Sequence, residues 1–218
     1  MVESALLHAE RVVVVDDASQ DNTAKLAEIA GAAVLRLPVQ LGAWGATQTG
    51  MRYAVRKGFD IAITMDADGQ HNSSDIPNLI APLLAEEANV VIGACPQRGS
   101  PLRHLAWRWI RSLSGINLGD FTSGFRAYDR LAMREAASWK ATLLEYQDIG
   151  VLMLFQRHSL VITDVIVTMS ERVSGHSRIF GDWGAVIYYM AYTLILGLSK
   201  RQNLRPHRKT GAIKKVSV

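Results

Sequence analysis

A single cysteine, Cys95, occurs among the 218 residues, so no internal disulfide can form and nothing points to an oxidising compartment. The first ten residues, MVESALLHAE, lack the basic start and long apolar stretch of a secretory leader, which leads us to expect a cytoplasmic protein. Two nucleotide-binding signatures are missing as well. A dinucleotide fold needs G-x-G-x-x-G after its first strand, but that turn reads DDASQD, and the glycines at 42, 45 and 50 are wrongly spaced. No G-x-x-x-x-G-K-[ST] loop occurs, so bound phosphate must be held by a cation and basic side chains. Acidic residues are absent from residues 200–218, which hold seven of the 24 basic residues; the remaining body has 17 basic against 20 acidic residues, a net of −3. The body is therefore no nucleic-acid binder by composition, and only the tail is basic. Finally, no run is long enough for a confident membrane span: the uncharged stretch WGAVIYYMAYTLILGLS covers residues 183–199, against the ~20 residues a spanning helix needs.

That stretch carries Trp183, Tyr188, Tyr189 and Tyr192, and cations follow it at once. Both features suit a helix lying in a membrane interface with its tail on anionic headgroups, placing the protein on the cytoplasmic face of the membrane. A dimer-forming helix, and with it a homo-oligomer, or a plain core helix are the other readings. Length and ordinary composition (49% hydrophobic, 20% charged) indicate one sizeable domain with an appendage. We therefore expect a catalytic domain over 1–181, an apolar helix over 182–199 and a basic tail over 200–218.

Between the ends, strands and helices alternate. Strands are expected at 11–15, 33–37, 60–65 and 89–93, and helices at 21–30, 45–57 and 74–87, the last capped by Ser74. Gly31 and Gly58 stop two of the helices, and Pro38 ends the second strand. A helix at about 146–157 and a strand at 160–168 follow a segment crowded with Arg and aromatic residues. Short, uniformly apolar strands alternating with helices imply an α/β fold with a mostly parallel sheet wrapped on both faces.

In such sheets ligands bind beyond the carboxyl ends of the strands. Two strands end there in acid: Val15 runs into Asp16 and Asp17, and Met65 into Asp66, Ala67 and Asp68. Residues i and i+2 of an extended segment point the same way, so Asp66 and Asp68 converge, and like charges placed together call for a cation. A divalent ion shared with substrate phosphates fits that demand. An EF-hand does not: counting from Asp66, its glycine falls at position 4 rather than 6, and Pro77 stands where the Glu is required. Arg126, Arg172 and Arg178 are candidate phosphate ligands, since a planar guanidinium pairs with phosphate oxygens.

The segments VVVVDDASQDNTAKLAEIAGAAVLRLP, LGAWGATQTGMRYAVRKGFDIAITMDADGQH, DFTSGFRAYDR and MSERVSGHSRIF resemble family 2 glycosyltransferases of the GT-A type. Within that family they are most similar to polyprenyl-phosphate (dolichyl-phosphate) mannosyl- and glucosyltransferases. The resemblance implies a nucleoside-diphosphate sugar donor, a polyprenyl-phosphate acceptor and Mg2+ or Mn2+. Carried over, Val15 and Asp17 contact the donor nucleoside. Asp66, Ala67 and Asp68 match the donor- and metal-binding D-x-D, and Gln70 a further metal contact. Arg172 and Arg178 match the basic pair of the loop that closes on the diphosphate, and Ser123 and Arg126 fall on the acceptor side. Asp148 in EYQDIG matches an acidic position that serves as base when the acceptor is a hydroxyl; it also suits a helix start. Two features depart from the family pattern. No I-P-A-Y-N-E-like first strand is present, MVESALLHAE resembling the helix after it, and Cys95 stands where the family carries Arg. These departures leave a second expectation, an inactive or scaffolding relative that binds nucleotide weakly or not at all.

Overall fold

The computed structural model describes residues 1–95, 108, 111, 118–142 and 149–170. Asp148, Arg172, Arg178, the apolar stretch 183–199 and the basic tail 200–218 lie outside the described residues, and so does the boundary expected at 181. Among the described residues no helix is long and apolar enough to cross a membrane.

After a short helix α1 (Val2–Leu6), the valine-rich run forms β1 (Val13–Asp16), which pairs in parallel with β2 (Ala33–Arg36), Val14 opposite Val34 and Asp16 opposite Arg36. A parallel pair needs a crossover, and α2 (Thr23–Ile29) supplies it.

The second sheet has the order β3 (Ile61–Thr64), β5 (Arg126–Asp129), β4 (Val90–Ala94), β6 (Ile162–Ile166). β4 and β6 run parallel, whereas β5 is antiparallel to both of its neighbours. The expected α/β architecture is present, with a central antiparallel strand that apolar patterning did not disclose. β5 reads RAYD, with a charge at each end, and is a strand because β3 and β4 pair with both of its edges and its Arg is satisfied internally.

β4 is buried throughout. Side chains alternating across β4 and β5 feed two cores: Val90, Ile92 and Tyr128 pack with Trp44, Met133 and Phe155, while Val91 and Ala127 pack with Leu79, Phe125 and Val167.

Helix α3 (Gly42–Lys57) begins three residues before the position expected from sequence. Its leading amides are capped from a distance: Leu41 N–H and Gly42 N–H donate to the two Asp17 carboxylate oxygens at 2.6 and 2.8 Å. It ends as expected at Gly58, whose φ of 78° is left-handed. One face of α3 closes open carbonyls at the ends of α5 (Arg130–Ala136) and α6 (Trp139–Thr142). Trp44 Nε1 donates to Ala141 O at 2.9 Å, Gln48 Nε2 to Ala136 O at 2.8 Å and Arg52 Nε to Ala137 O at 3.2 Å.

The helix expected over 74–87 is shorter, α4 (Ile76–Leu84), preceded by a 3-10 turn at Ser73–Asp75. The cap comes from Asn72, whose side chain accepts from Ser74 N–H, and not from Ser74 itself. The chain leaves the helical register at Glu86, where φ reaches 57°. A further helix, α7 (Ile149–Arg157), leads into β6.

Candidate active site

β3 delivers Asp66 at its carboxyl end, and the chain turns immediately. Gly69 takes a φ of 79°, a conformation natural to glycine, and this folds the Gln70 amide back to donate to Asp68 Oδ1 at 3.1 Å. Asp68 is half-buried by the turn, whereas the Asp66 side chain is 53% exposed.

The Asp66 carboxylate lies against the backbone of Gly124. A Cβ at Gly124 would stand 2.6 Å from each of its oxygens, so only a residue without a side chain leaves this space open. Thr64 Oγ1 donates to Gly124 O at 2.7 Å and fixes that backbone beside the strand end.

The turn is also tied to the chain leaving β6. Ser170 N–H donates to Gln70 O at 2.9 Å, His71 forms an antiparallel bridge with Met169, and Asp75 Oδ2 accepts from Thr168 N–H and Oγ1–H at 2.9 and 2.8 Å. The acidic loop and the segment running toward residue 171 are therefore one bonded unit.

Gln70 is buried, and its side-chain Nε2 has no hydrogen-bond partner among the described residues. Amide nitrogen and oxygen exchange places by a half-turn, so the same group can offer an oxygen instead. Two carboxylates and one amide oxygen form a hard donor set suited to Mg2+ or Mn2+. Among the described residues no group of three or more His, Cys, Asp or Glu side chains could hold a metal ion by itself. The residues present thus fit a cation completed by substrate oxygens.

The other residues singled out from the sequence fall into two groups. Val15 and Asp17 belong to the two-stranded sheet and its exit, apart from the Asp66–Gln70 turn of the four-stranded sheet. Both Asp17 oxygens are engaged in capping α3. Its neighbour Asp16, buried and accepting from Ser19 N–H at 3.2 Å, lines an open cleft of about 640 Å3 at the carboxyl ends of β1 and β2.

Ser123 and Arg126 are both buried. The Ser123 hydroxyl accepts from Phe125 N–H at 3.3 Å; Arg126 Nε donates to Ser123 O at 2.7 Å and Nη2 to Phe121 O at 2.9 Å. A fully buried guanidinium bonded to Ser123 O and Phe121 O braces this loop from within. Sequence reasoning passed over Gly124 and His71, although both sit inside the quoted motifs, SGFR and MDADGQH.

The model for glycosyl transferase family 2 matches residues 1–141 of this chain. The chain belongs to glycosyl transferase family 2. The undecaprenyl-phosphate mannosyltransferase of Micrococcus luteus is 32% identical over 187 residues, covering 78% of this chain and 76% of that protein. The polyprenol monophosphomannose synthase of Mycolicibacterium smegmatis is 27% identical over 191 residues, covering 78% and 71%. Among solved structures, glucosyl-3-phosphoglycerate synthase from Mycobacterium tuberculosis in complex with Mn2+, uridine-diphosphate-glucose and phosphoglyceric acid superposes with a TM-score of 0.66 at 21% identity, over 91% of this chain and 73% of that one. That last likeness is one of fold. In this glycosyltransferase the acidic turn thus lies at the strand end where an α/β sheet receives its ligand.

Proposed function

We propose that this glycosyltransferase moves a hexose from a nucleoside-diphosphate sugar to a polyprenyl phosphate. The observation that carries this reading is the pair Asp66 and Asp68 at the open end of β3, with the Asp66 carboxylate in a space that only glycine at 124 leaves free. Relatives named for undecaprenyl phosphate and polyprenol support the acceptor class.

In this reading Asp66, Asp68 and Gln70 hold Mg2+ or Mn2+, and Val15, Asp17 and Ala67 contact the donor. An ion held there would neutralise charge on the departing nucleoside diphosphate. Arg172 and Arg178 grip the diphosphate oxygens through their planar forks. The loop shaped by Ser123 and Arg126 borders the acceptor. A lipid phosphate is already an anion, so its oxygen attacks the anomeric carbon without a general base, while the bond to the diphosphate oxygen breaks and its electron pair leaves with the nucleotide. A single displacement of this kind inverts the anomeric configuration. Asp148 is needed as a base only if the acceptor is a hydroxyl. Residues 183–199 and 200–218 hold the enzyme on the cytoplasmic membrane face, where such an acceptor resides.

A panel of nucleotide sugars incubated with undecaprenyl phosphate and Mn2+ tests the proposal. Labelled sugar should pass to the lipid with at least one donor, and EDTA should stop it. Mn2+-dependent nucleotide binding without transfer to any acceptor would favour a binding relative. No nucleotide binding at all would favour the scaffold.

A further inference from the structure

His71 closes the acidic turn, and its side chain is only 1% exposed. Its ring packs on Phe125 with centroids 5.1 Å apart, a contact that any flat apolar side chain could make. Yet Nδ1 is buried without a partner among the described residues, a polar cost that Phe or Leu would avoid. The other nitrogen, Nε2, lies 3.4 Å from Asp66 Oδ2. A carboxylate only accepts, so Nε2–H is the donor in this contact.

The backbone of His71 is fixed independently by its bridge to Met169, so the imidazole is held from behind while its tip faces the carboxylate. Since Asp66 is half-exposed at the end of its strand, an anchored donor narrows the positions its oxygens adopt.

We propose that His71 is a positioning residue for the cation site. Nε2–H orients the Asp66 carboxylate beside Gly124, and the bridge to Met169 ties that placement to the chain leaving β6. This inference rests on the proposed metal-dependent function.

Titration calorimetry with Mn2+ alone, and with UDP in the presence and absence of Mn2+, tests it on the full chain. His71→Phe keeps a ring on Phe125 but has no donor; His71→Gln loses the ring and keeps an N–H at a similar reach. Positioning through the hydrogen bond predicts Mn2+ affinity about 10–100-fold weaker in His71→Phe, the usual effect of losing an outer partner of a metal ligand. It also predicts that His71→Gln restores most of that affinity. Simple packing predicts the reverse order. If His71→Phe does not fold, as judged by its thermal melt, His71→Leu takes its place in the comparison. Wild-type affinity in the donor-free variant overturns the role of His71 alone. A wild-type chain that binds UDP no better with Mn2+ than without it overturns the proposed function and this role with it.

Discussion

Gly124 and Asp66 share one small volume: a methyl group on the Gly124 α-carbon would stand 2.6 Å from both carboxylate oxygens. The carboxylate is the tip of a flexible, half-exposed side chain, so it is the part that shifts when crowded. Gly124→Ala should therefore cost little stability but displace the carboxylate from the cation site. Mn2+-dependent UDP binding is expected to weaken about tenfold or more, with a melting curve close to wild type. Unchanged binding in calorimetry would show that Asp66 is not where the metal is held.

Asp68 accepts from the Gln70 amide at 3.1 Å, and in the proposed function it also supplies charge for the cation. Asp68→Ala removes both, and should abolish metal-dependent nucleotide binding and lower stability by about 1 kcal/mol, the worth of one hydrogen bond. Asp68→Asn keeps an oxygen for the amide, so it should restore the stability but not the binding. Thermal melts and UDP titrations on the two variants separate the tasks.

Arg126 is fully buried and bonded to Ser123 O and Phe121 O. Arg126→Ala would leave buried carbonyls unpaired and open a cavity, for a loss of at least about 3 kcal/mol. Denaturant unfolding measures this. A side chain that instead reached an acceptor would leave stability unchanged and raise only the acceptor KM.

Arg172 and Arg178 flank the Gly- and Ser-containing segment of MSERVSGHSRIF. Replacing either with Ala should cost roughly 1.5–3 kcal/mol of donor affinity, the scale of a hydrogen bond to a charged group. Donor affinity unchanged by both replacements would return these residues to the solvated surface.

In the proposed membrane attachment, the apolar stretch 183–199 and the seven cations of residues 200–218 each carry a share. Each cation near an anionic surface contributes about 1 kcal/mol at low salt, and salt screens that part. Removing 200–218 should leave weaker, salt-insensitive binding to anionic vesicles, and removing 183–218 should leave none. Flotation at low and high salt reads both outcomes; a full chain that ignores vesicles at low salt overturns the attachment.

Much of this was legible along the chain. The four valines before Asp16 and the apolar run before Asp66 named β1 and β3 and their acidic ends, because a buried strand records its environment residue by residue. Gly58 announced the end of α3 because left-handed backbone favours one residue type. β5 was hidden for the opposite reason: RAYD has neither period nor apolar excess, and it is a strand only because β3 and β4 bond to its two edges.

The sequence by itself determined the alternation of strands and helices, the acidic pair at a strand end and the motifs of glycosyl transferase family 2, all consequences of local period, turn chemistry and spacing. Only the tertiary structure decided that Gly124 clears the space for Asp66, that Asp17 caps α3, that Arg126 faces inward and that His71 stands behind the carboxylate. Each of these joins segments that are separate in the chain or depends on which way a side chain turns, and neither leaves a periodic trace in the order of residues.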